Sequence, residues 1–403
     1  MTQAAPTPIL FTHYGDPWIR GSEQLLLDLL AHLDPARVRP IVWCNQVAMA
    51  DATRALGFPT YRSDFEIYFD YECPRFHLGR YRAQMRAARE LVRKHQIRVL
   101  HSNSAGPCQW LMPVARSARL PLLAHLHIGY LRRSRYAFLL HQASLVVGVS
   151  RQVIEPFLDD GMEADKTQVI YNGIDFSRLR PKTSADPRRQ LGIANDATVV
   201  SAIGSLIRRK GQDVLLRAFG LIAPTCNMHL LIVGDGPEQA NLERLAAELG
   251  LRARVQFLGY SADIGGICAA SDMVALASRM DSFGLVLVEA GYFNLPVVAT
   301  AVGGIPEVIE DGVTGLLVPP EDPQAVAAAL ARLIDDRDYR ERLGRAGKKR
   351  VDALFGVDRM VRDFHETYDR LDRLPRKELG WLGAAAAVKP YLRLTHHNRA
   401  HVS

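Results

Sequence analysis

The stretch MDSFGLVLVEAGYFNLPVV, residues 280–298, carries one acid, Asp281, at its start and a second, Glu289, eight positions later inside an otherwise apolar run. Gly284 sits where a loop enters a helix running through about residue 293. PVVAT (296–300) then reads as a strand.

Outward from this unit the same alternation fills the chain. ATVVSAIGS (197–205), MHLLIVG (228–234), RVQFLG (254–259), DMVALA (272–277) and GLLVP (315–319) read as strands, with helices such as GQDVLLRAFGLI (211–222) between them. The first half runs likewise through PILFT (8–12), RPIVWC (39–44), VLHS (99–102), PLLAHLH (121–127) and SLVVGVS (144–150). Its helices include GSEQLLLDLLAHL (21–33), with Ser22 as its cap, and YRAQMRAARELVRKH (81–95). Continuous apolar strands separated by helices indicate parallel sheets covered on both faces. We therefore expect an α/β chain of two doubly wound domains, 1–178 and 197–356, joined by a polar, proline-broken linker at 179–196. Such domains bind ligand at the carboxyl ends of their strands, and a cleft between the two is the expected donor site.

Composition narrows the partners. The chain has 403 residues, is 48% hydrophobic and carries a net charge of +7. That excess suits phosphates, nucleic acid or an acidic membrane surface without choosing among them. Cys44, Cys73, Cys108, Cys226 and Cys268 are scattered, with no CxxC, so neither a disulfide framework nor a zinc site is indicated. The start, MTQAAPTPILFTHYGD, lacks the features of a signal peptide, and no apolar run approaches a spanning helix. A reduced, cytoplasmic protein is the expectation.

The spacing of the two acids has a chemical reading. Eight residues of helix rise about 12 Å, roughly the span from a sugar across a diphosphate to a ribose. Free amides at the helix start attract the phosphates between them. The plainer reading is that Asp281 caps the helix and Glu289 is a solvated or paired acid.

DSFGLVLVEA (281–290) resembles the E-x7-E signature of retaining GT-B glycosyltransferases of family 4 (group 1). Further stretches resemble that family in order: RGSE (20–23), HLHIG (125–129), YNGID (171–175), GSLIRRKGQDVLLRAF (204–219), LIVGDGPE (231–238), VQFLGY (255–260) and VGGIPEVIEDGVTGLLVPP (302–320). The resemblance implies that Glu289 holds a ribose diol and Asp281 contacts sugar hydroxyls. Amides around Phe283, Gly284 and Leu285 would face sugar and diphosphate. Lys210 and Arg209 would neutralise the diphosphate, beside a loop opened by Gly204 and Ser205. Gly21 would let the amino-terminal loop approach, His127 would reach the transferred sugar, and Tyr260 would lie near the base. Front-face substitution without a metal or other cofactor is implied. So is a helix at 357–373 that crosses back to the first domain, followed by a basic tail at 374–403.

Three positions depart from the family pattern. Asp281 stands where Glu is usual, Ser205 where Arg is usual, and Arg20 where the first glycine of GGxE is usual. These departures leave UDP or GDP donors open, and keep a non-catalytic nucleotide-sugar-binding subunit as the alternative. A hydrolase pair needs both acids at one anomeric carbon, whereas the phosphate-loop lysine points to a diphosphate leaving group. The GDG at 234–236 lacks a third glycine and its acidic partner, so no dinucleotide cofactor is indicated. Asp336-Arg337-Asp338 reads as a solvated turn between helices, and His125 with His127 as a donor contact or packing pair before a metal site. His101 reads equally as an acceptor contact or a loop element. The acceptor is expected to be a glycan or lipid-linked hydroxyl, with no nucleic acid involved. The basic groups Arg80, Arg82, Arg86, Arg89, Arg93, Lys94 and Arg132, Arg133, Arg135, with the tail, predict peripheral attachment to an anionic inner leaflet.

Overall fold

A computed structural model describes residues 5–68, 76–182 and 187–380. The chain divides into two compact units, one made of the residues up to Gly173 together with those from Val357 onward, the other of Ile174–Gly356.

The first unit is a parallel sheet of β1 (Thr7–His13), β2 (Val38–Cys44), β3 (Thr60–Arg62), β4 (Val99–Ser102), β5 (Leu122–Leu126), β6 (Leu145–Gly148) and β7 (Thr167–Val169). Its order is β3-β2-β1-β4-β5-β6-β7. The second unit holds β8 (Thr198–Ile203), β9 (Met228–Val233), β10 (Val255–Gly259), β11 (Met273–Leu276), β12 (Val297–Thr300) and β13 (Leu316–Val318), in the order β10-β9-β8-β11-β12-β13. Helices link the strands, and the fold is the expected pair of doubly wound α/β domains. In each sheet the winding direction reverses once, between β1 and β4 and between β8 and β11. At such a reversal the loops leaving the two strand ends part, and a ligand crevice opens beyond their carboxyl ends.

Central strands are buried on both faces, which is why they read as unbroken apolar runs. The two strands absent from the sequence reading, β3 (TYR) and β7 (TQV), are three-residue edge strands left partly exposed. They carry neither an apolar run nor a clean alternation. The helix Gly21–His32 begins one residue after Arg20, which is its N-cap in place of the expected Ser22.

The stretch around the expected linker and the helix expected to cross back each have a defined place. Residues expected to be linker pack on the second unit: the Arg188 guanidinium donates to the Asp272 carboxylate at 2.7 Å and to the Ala270 carbonyl at 2.8 Å. The helix Val357–Asp372 belongs to the first unit. Val357, Met360, Val361, Phe364, Tyr368 and Leu371 form one apolar stripe that joins the core of Ile9, Phe11, Leu26 and Val147. Beyond it Arg376 is tied to the Arg98 carbonyl at 3.1 Å and to Asp372 at 3.2 Å. The rest of the basic tail, from Trp381, lies outside the described residues.

Candidate active site

The quoted stretch folds as a tight turn leading into the helix Leu285–Tyr292, whose N-cap is Gly284 at φ +81°. A side chain is strained there, so glycine lets the chain enter the helix at this angle. Asp281 lies just beyond β11, at the reversal point of the second sheet. Its Oδ1 accepts from the amides of Gly284 at 3.1 Å and Phe283 at 3.3 Å. Its Oδ2 accepts from Lys210 Nζ at 2.6 Å. Gly303 sits at φ +57° against this turn, where a Cβ would run into the Asp281 carbonyl oxygen. Gly304 N donates to that same carbonyl at 3.0 Å.

The plainer reading of Asp281 is what the geometry shows: it caps the turn, and its second oxygen is taken by Lys210, a pairing the sequence did not announce. Burial alone would raise its carboxyl, but the Lys210 charge and the hydrogen bonds outweigh that and keep it below its ordinary value. A methylene-shortened acid thus forms a partly buried ion pair across the sheet reversal.

Lys210 ends a short 3-10 turn, Arg208–Lys210, in the loop that leaves β8 through Gly204 and Ser205. The neighbouring Arg209 donates to the Met280 carbonyl at 3.0 Å, and Arg279 N donates back to the Arg209 carbonyl at 2.8 Å. Arg279 braces the pair of loops. Its guanidinium grips Asp213 through two bonds of 2.8 and 2.9 Å and also binds Glu321. Arg279, Asp213 and Glu321 drew no notice in sequence, because three residues of ordinary surface type reveal their convergence only in space. Leu285 is the first helical residue, Phe283 is buried, and Tyr260 is exposed on the turn after β10.

Glu289 lies one helical turn and more from Gly284. Desolvation pushes its carboxyl up to about 7, with the Arg178 charge pulling the other way. It is thus balanced between acid and carboxylate near neutrality, a state that a pair of hydroxyls would tip toward the carboxylate.

In the first unit, polar side chains gather at the corresponding sheet reversal. His13 ends β1, Asn103 follows β4 and His127 follows β5. His13 Nε2 lies 3.1 Å from Glu23 Oε1, its Nδ1 lies 3.1 Å from Asn103 Nδ2, and Asn103 Oδ1 lies 3.1 Å from His127 Nε2. His127 Nδ1 is buried with no hydrogen-bond partner, as are both ring nitrogens of His125. His125 and His127 do face the same way, with ring centroids 4.3 Å apart. Burial holds both well below the ordinary imidazole range, and each ring's neighbour adds to it. His101 is fully buried, its Nδ1 2.7 Å from the Tyr368 hydroxyl, which makes it a core residue and neither an acceptor contact nor a loop element. Gly21 opens its helix, and Arg20 lies 4.8 Å over the Trp18 ring.

His13 was missed in sequence although it carries the same signal as His101, a polar residue ending a buried strand. Among the described residues no group of three or more His, Cys, Asp or Glu side chains is placed to hold a metal ion. Asp336 caps the helix Arg337–Leu354, accepting from Tyr339 N at 2.8 Å.

Comparison with known proteins bears on the family and the fold. The family models for glycosyl transferases group 1 and Glycosyltransferase Family 4 match residues 184–350 and 19–178. N-acetyl-alpha-D-glucosaminyl L-malate synthase of Bacillus anthracis is 28% identical over 290 residues, 69% of this chain and 76% of that protein. D-inositol 3-phosphate glycosyltransferase of Corynebacterium urealyticum is 34% identical over 249 residues, 58% of each chain. The match thus spans about three quarters of the first relative and little more than half of the second. The crystal structure of Anabaena HepE in complex with UDP-glucose superposes with a TM-score of 0.77 at 28% identity, covering 90% of this chain and 99% of that one. With both halves matched in order on two doubly wound domains, the chain belongs to the group 1, family 4-like glycosyltransferases.

Proposed function

We propose that this glycosyltransferase retains anomeric configuration and moves a hexose-type sugar from a nucleotide diphosphate, UDP before GDP, to an acceptor hydroxyl. The observation that carries the reading is the Lys210–Asp281 pair, 2.6 Å apart at the sheet reversal where the helix bearing Glu289 begins. The Phe283 and Gly284 amides already donate to Asp281, so a diphosphate at that helix start meets the Lys210 ammonium, with Arg209 beside it. Asp281 then takes sugar hydroxyls and Glu289 the ribose diol. The bond from the anomeric carbon to the phosphate oxygen breaks, the acceptor oxygen bonds to that carbon from the same face, and the leaving phosphate oxygen takes the acceptor proton. Lys210 stabilises the charge that grows on the leaving group. UDP is preferred because HepE, similar over nearly its whole length, was crystallised with UDP-glucose. Assembly of a cell-envelope or exported glycan is the proposed setting.

A thermal-shift panel of UDP- and GDP-sugars identifies the donor. Proton NMR of fresh product is then expected to show the donor's own anomer, with transfer unchanged by EDTA. An inverted anomer, or activity lost to EDTA and restored by Mg²⁺ or Mn²⁺, would overturn the mechanism. Donor binding with no turnover on any acceptor would favour a nucleotide-sugar-binding subunit.

We also propose peripheral attachment to an anionic membrane, supported by the helix Leu78–His95. It exposes Arg82, Arg86, Arg93 and Lys94, with Phe76 and Leu78 exposed at its start. The second basic group contributes less than its sequence implied, because Arg135 is buried and bound to Asp160 at 2.6 Å, with Arg132 on the same carboxylate at 3.1 Å. Each exposed basic residue near an anionic surface contributes about 1 kcal/mol. Co-sedimentation with phosphatidylserine vesicles is expected to fall as salt rises and to fall again when residues 375–403 are removed. Equal recovery with anionic and neutral vesicles at low salt would refute attachment. Among the described residues no helix is long and apolar enough to cross a membrane.

A further inference from the structure

The contacts from Glu23 to His127 have a direction. A carboxylate only accepts, so His13 Nε2, 3.1 Å from Glu23 Oε1, must carry a proton. Burial works against the Glu23 charge, but the His13 contact outweighs it and the carboxyl stays below its ordinary value. A neutral imidazole protonated at Nε2 has a bare Nδ1, and that nitrogen faces the Asn103 amide nitrogen at 3.1 Å, a donor. With its NH₂ turned to His13, Asn103 can turn only its carbonyl oxygen to His127, 3.1 Å away. An amide oxygen accepts, so His127 carries its proton on Nε2. Its Nδ1 is then a lone pair, and that atom is buried without a partner.

We infer that Glu23, His13 and Asn103 are positioning residues, a single hydrogen-bond chain that fixes His127 as the Nε2–H tautomer and so presents Nδ1 as an acceptor for a ligand hydroxyl. The assignment deepens the proposed function, on which the identity of that hydroxyl rests. The parts are rigidly placed. A Cβ on Gly15 would collide with His13 Nε2 and Glu23 Oε1, and the Gly15 amide is held by Asn45 Oδ1 at 3.0 Å. A neutral ring with a fixed lone pair recognises a hydroxyl proton. The opposite tautomer, or an imidazolium, would present N–H there, and the hydroxyl would have to accept through its oxygen instead. His127 is kept neutral by burial first and by its histidine neighbours second.

The test reads protons directly. In the full chain labelled with ¹⁵N-histidine, long-range proton–nitrogen correlation distinguishes protonated from bare ring nitrogens, and loss of signals in His127→Asn assigns His127. At neutral pH the ligand-free protein is expected to show His127 and His13 both protonated at Nε2 and bare at Nδ1. Glu23→Gln, whose amide can turn either way, should convert His127 to a mixture of tautomers and slow sugar transfer about three- to tenfold, the worth of one neutral hydrogen bond. Asn103→Asp, with no donor for His13, should leave His13 protonated on both nitrogens. Unchanged His141 signals report an intact fold. A wild-type His127 carrying its proton on Nδ1, or on both nitrogens, overturns the chain, as does a Glu23→Gln spectrum identical to wild type. Adding UDP-glucose is expected to shift His127 Nδ1 where UDP alone does not. An unmoved signal beside an intact tautomer would sink the donor-facing role of His127 and leave the chain standing.

Discussion

Lys210→Ala and Glu289→Ala are each expected to slow sugar transfer by about 10²–10³ in protein that still folds, the effect of removing one charge-assisted contact from a transition state. Lys210 is partly buried at the end of a short 3-10 turn, where it pairs with Asp281. Its removal leaves the buried Asp281 carboxylate without its cation, so a lowered melting temperature is expected beside the lost turnover, and it takes a cation from the proposed diphosphate site. Glu289 adds a pH signature. Its carboxyl titrates near 7, so donor binding should strengthen as pH rises through that value and the carboxylate becomes free to accept both ribose hydroxyls. Glu289→Gln should lose this pH dependence. Stability runs the other way. The folded pKa lies above the ordinary 4.5, so the contribution is full below about 4.5 and is lost as pH climbs through 7. Glu289→Gln should therefore melt higher than wild type in alkaline buffer. Steady-state kinetics from pH 5.5 to 8.5, with melts at the same pH, check both. Wild-type turnover in both folded alanine variants would refute the site.

Asp281→Asn is expected to bind UDP about tenfold more tightly and yet transfer sugar about 10²-fold more slowly. In the free protein Lys210 is held by Asp281 at 2.6 Å, so an incoming diphosphate must compete with a carboxylate for the same ammonium. A hydrogen bond between charged groups is worth about 1.5–3 kcal/mol, and 1.4 kcal/mol is tenfold in affinity. Asparagine keeps the oxygen that accepts from Phe283 N and Gly284 N, so the turn survives. It loses the charge that binds Lys210 and the second acceptor proposed for sugar hydroxyls. Titration calorimetry with UDP measures the first effect and initial rates with the identified donor the second. Unchanged or weaker UDP binding would show that the pair does not compete with phosphate.

The fold was legible where burial is two-sided. Strands such as TVVSAI and MHLLIV are apolar because helices cover both faces, and the chain records that directly. The edge strands at 60–62 and 167–169 left no such record. The site was legible in its members but not in its wiring. Asp281, Gly284 and Glu289 lie in one stretch, whereas Lys210 meets Asp281 across 71 residues of sequence. His13 and Asn103 lie 90 residues apart, and only the winding of the sheet makes them neighbours. Asp281 caps its turn with one oxygen and takes Lys210 with the other, and only the first of these was legible in sequence. Arg135 looked like surface charge because nothing local marks Asp160 as its partner.

The helix Val357–Asp372 has a consequence for how the protein is made. Phe364 and Tyr368 are almost fully buried in the core that β1 and β4 begin, and Tyr368 reaches His101 inside it. On the ribosome, the unit encoded first therefore lacks part of its interior until residue 372 has emerged, while Ile174–Gly356 already holds every strand of its own sheet. Synthesis order and completion order are reversed, and the nascent first unit must wait with an open apolar seam, the kind of surface that chaperones shield.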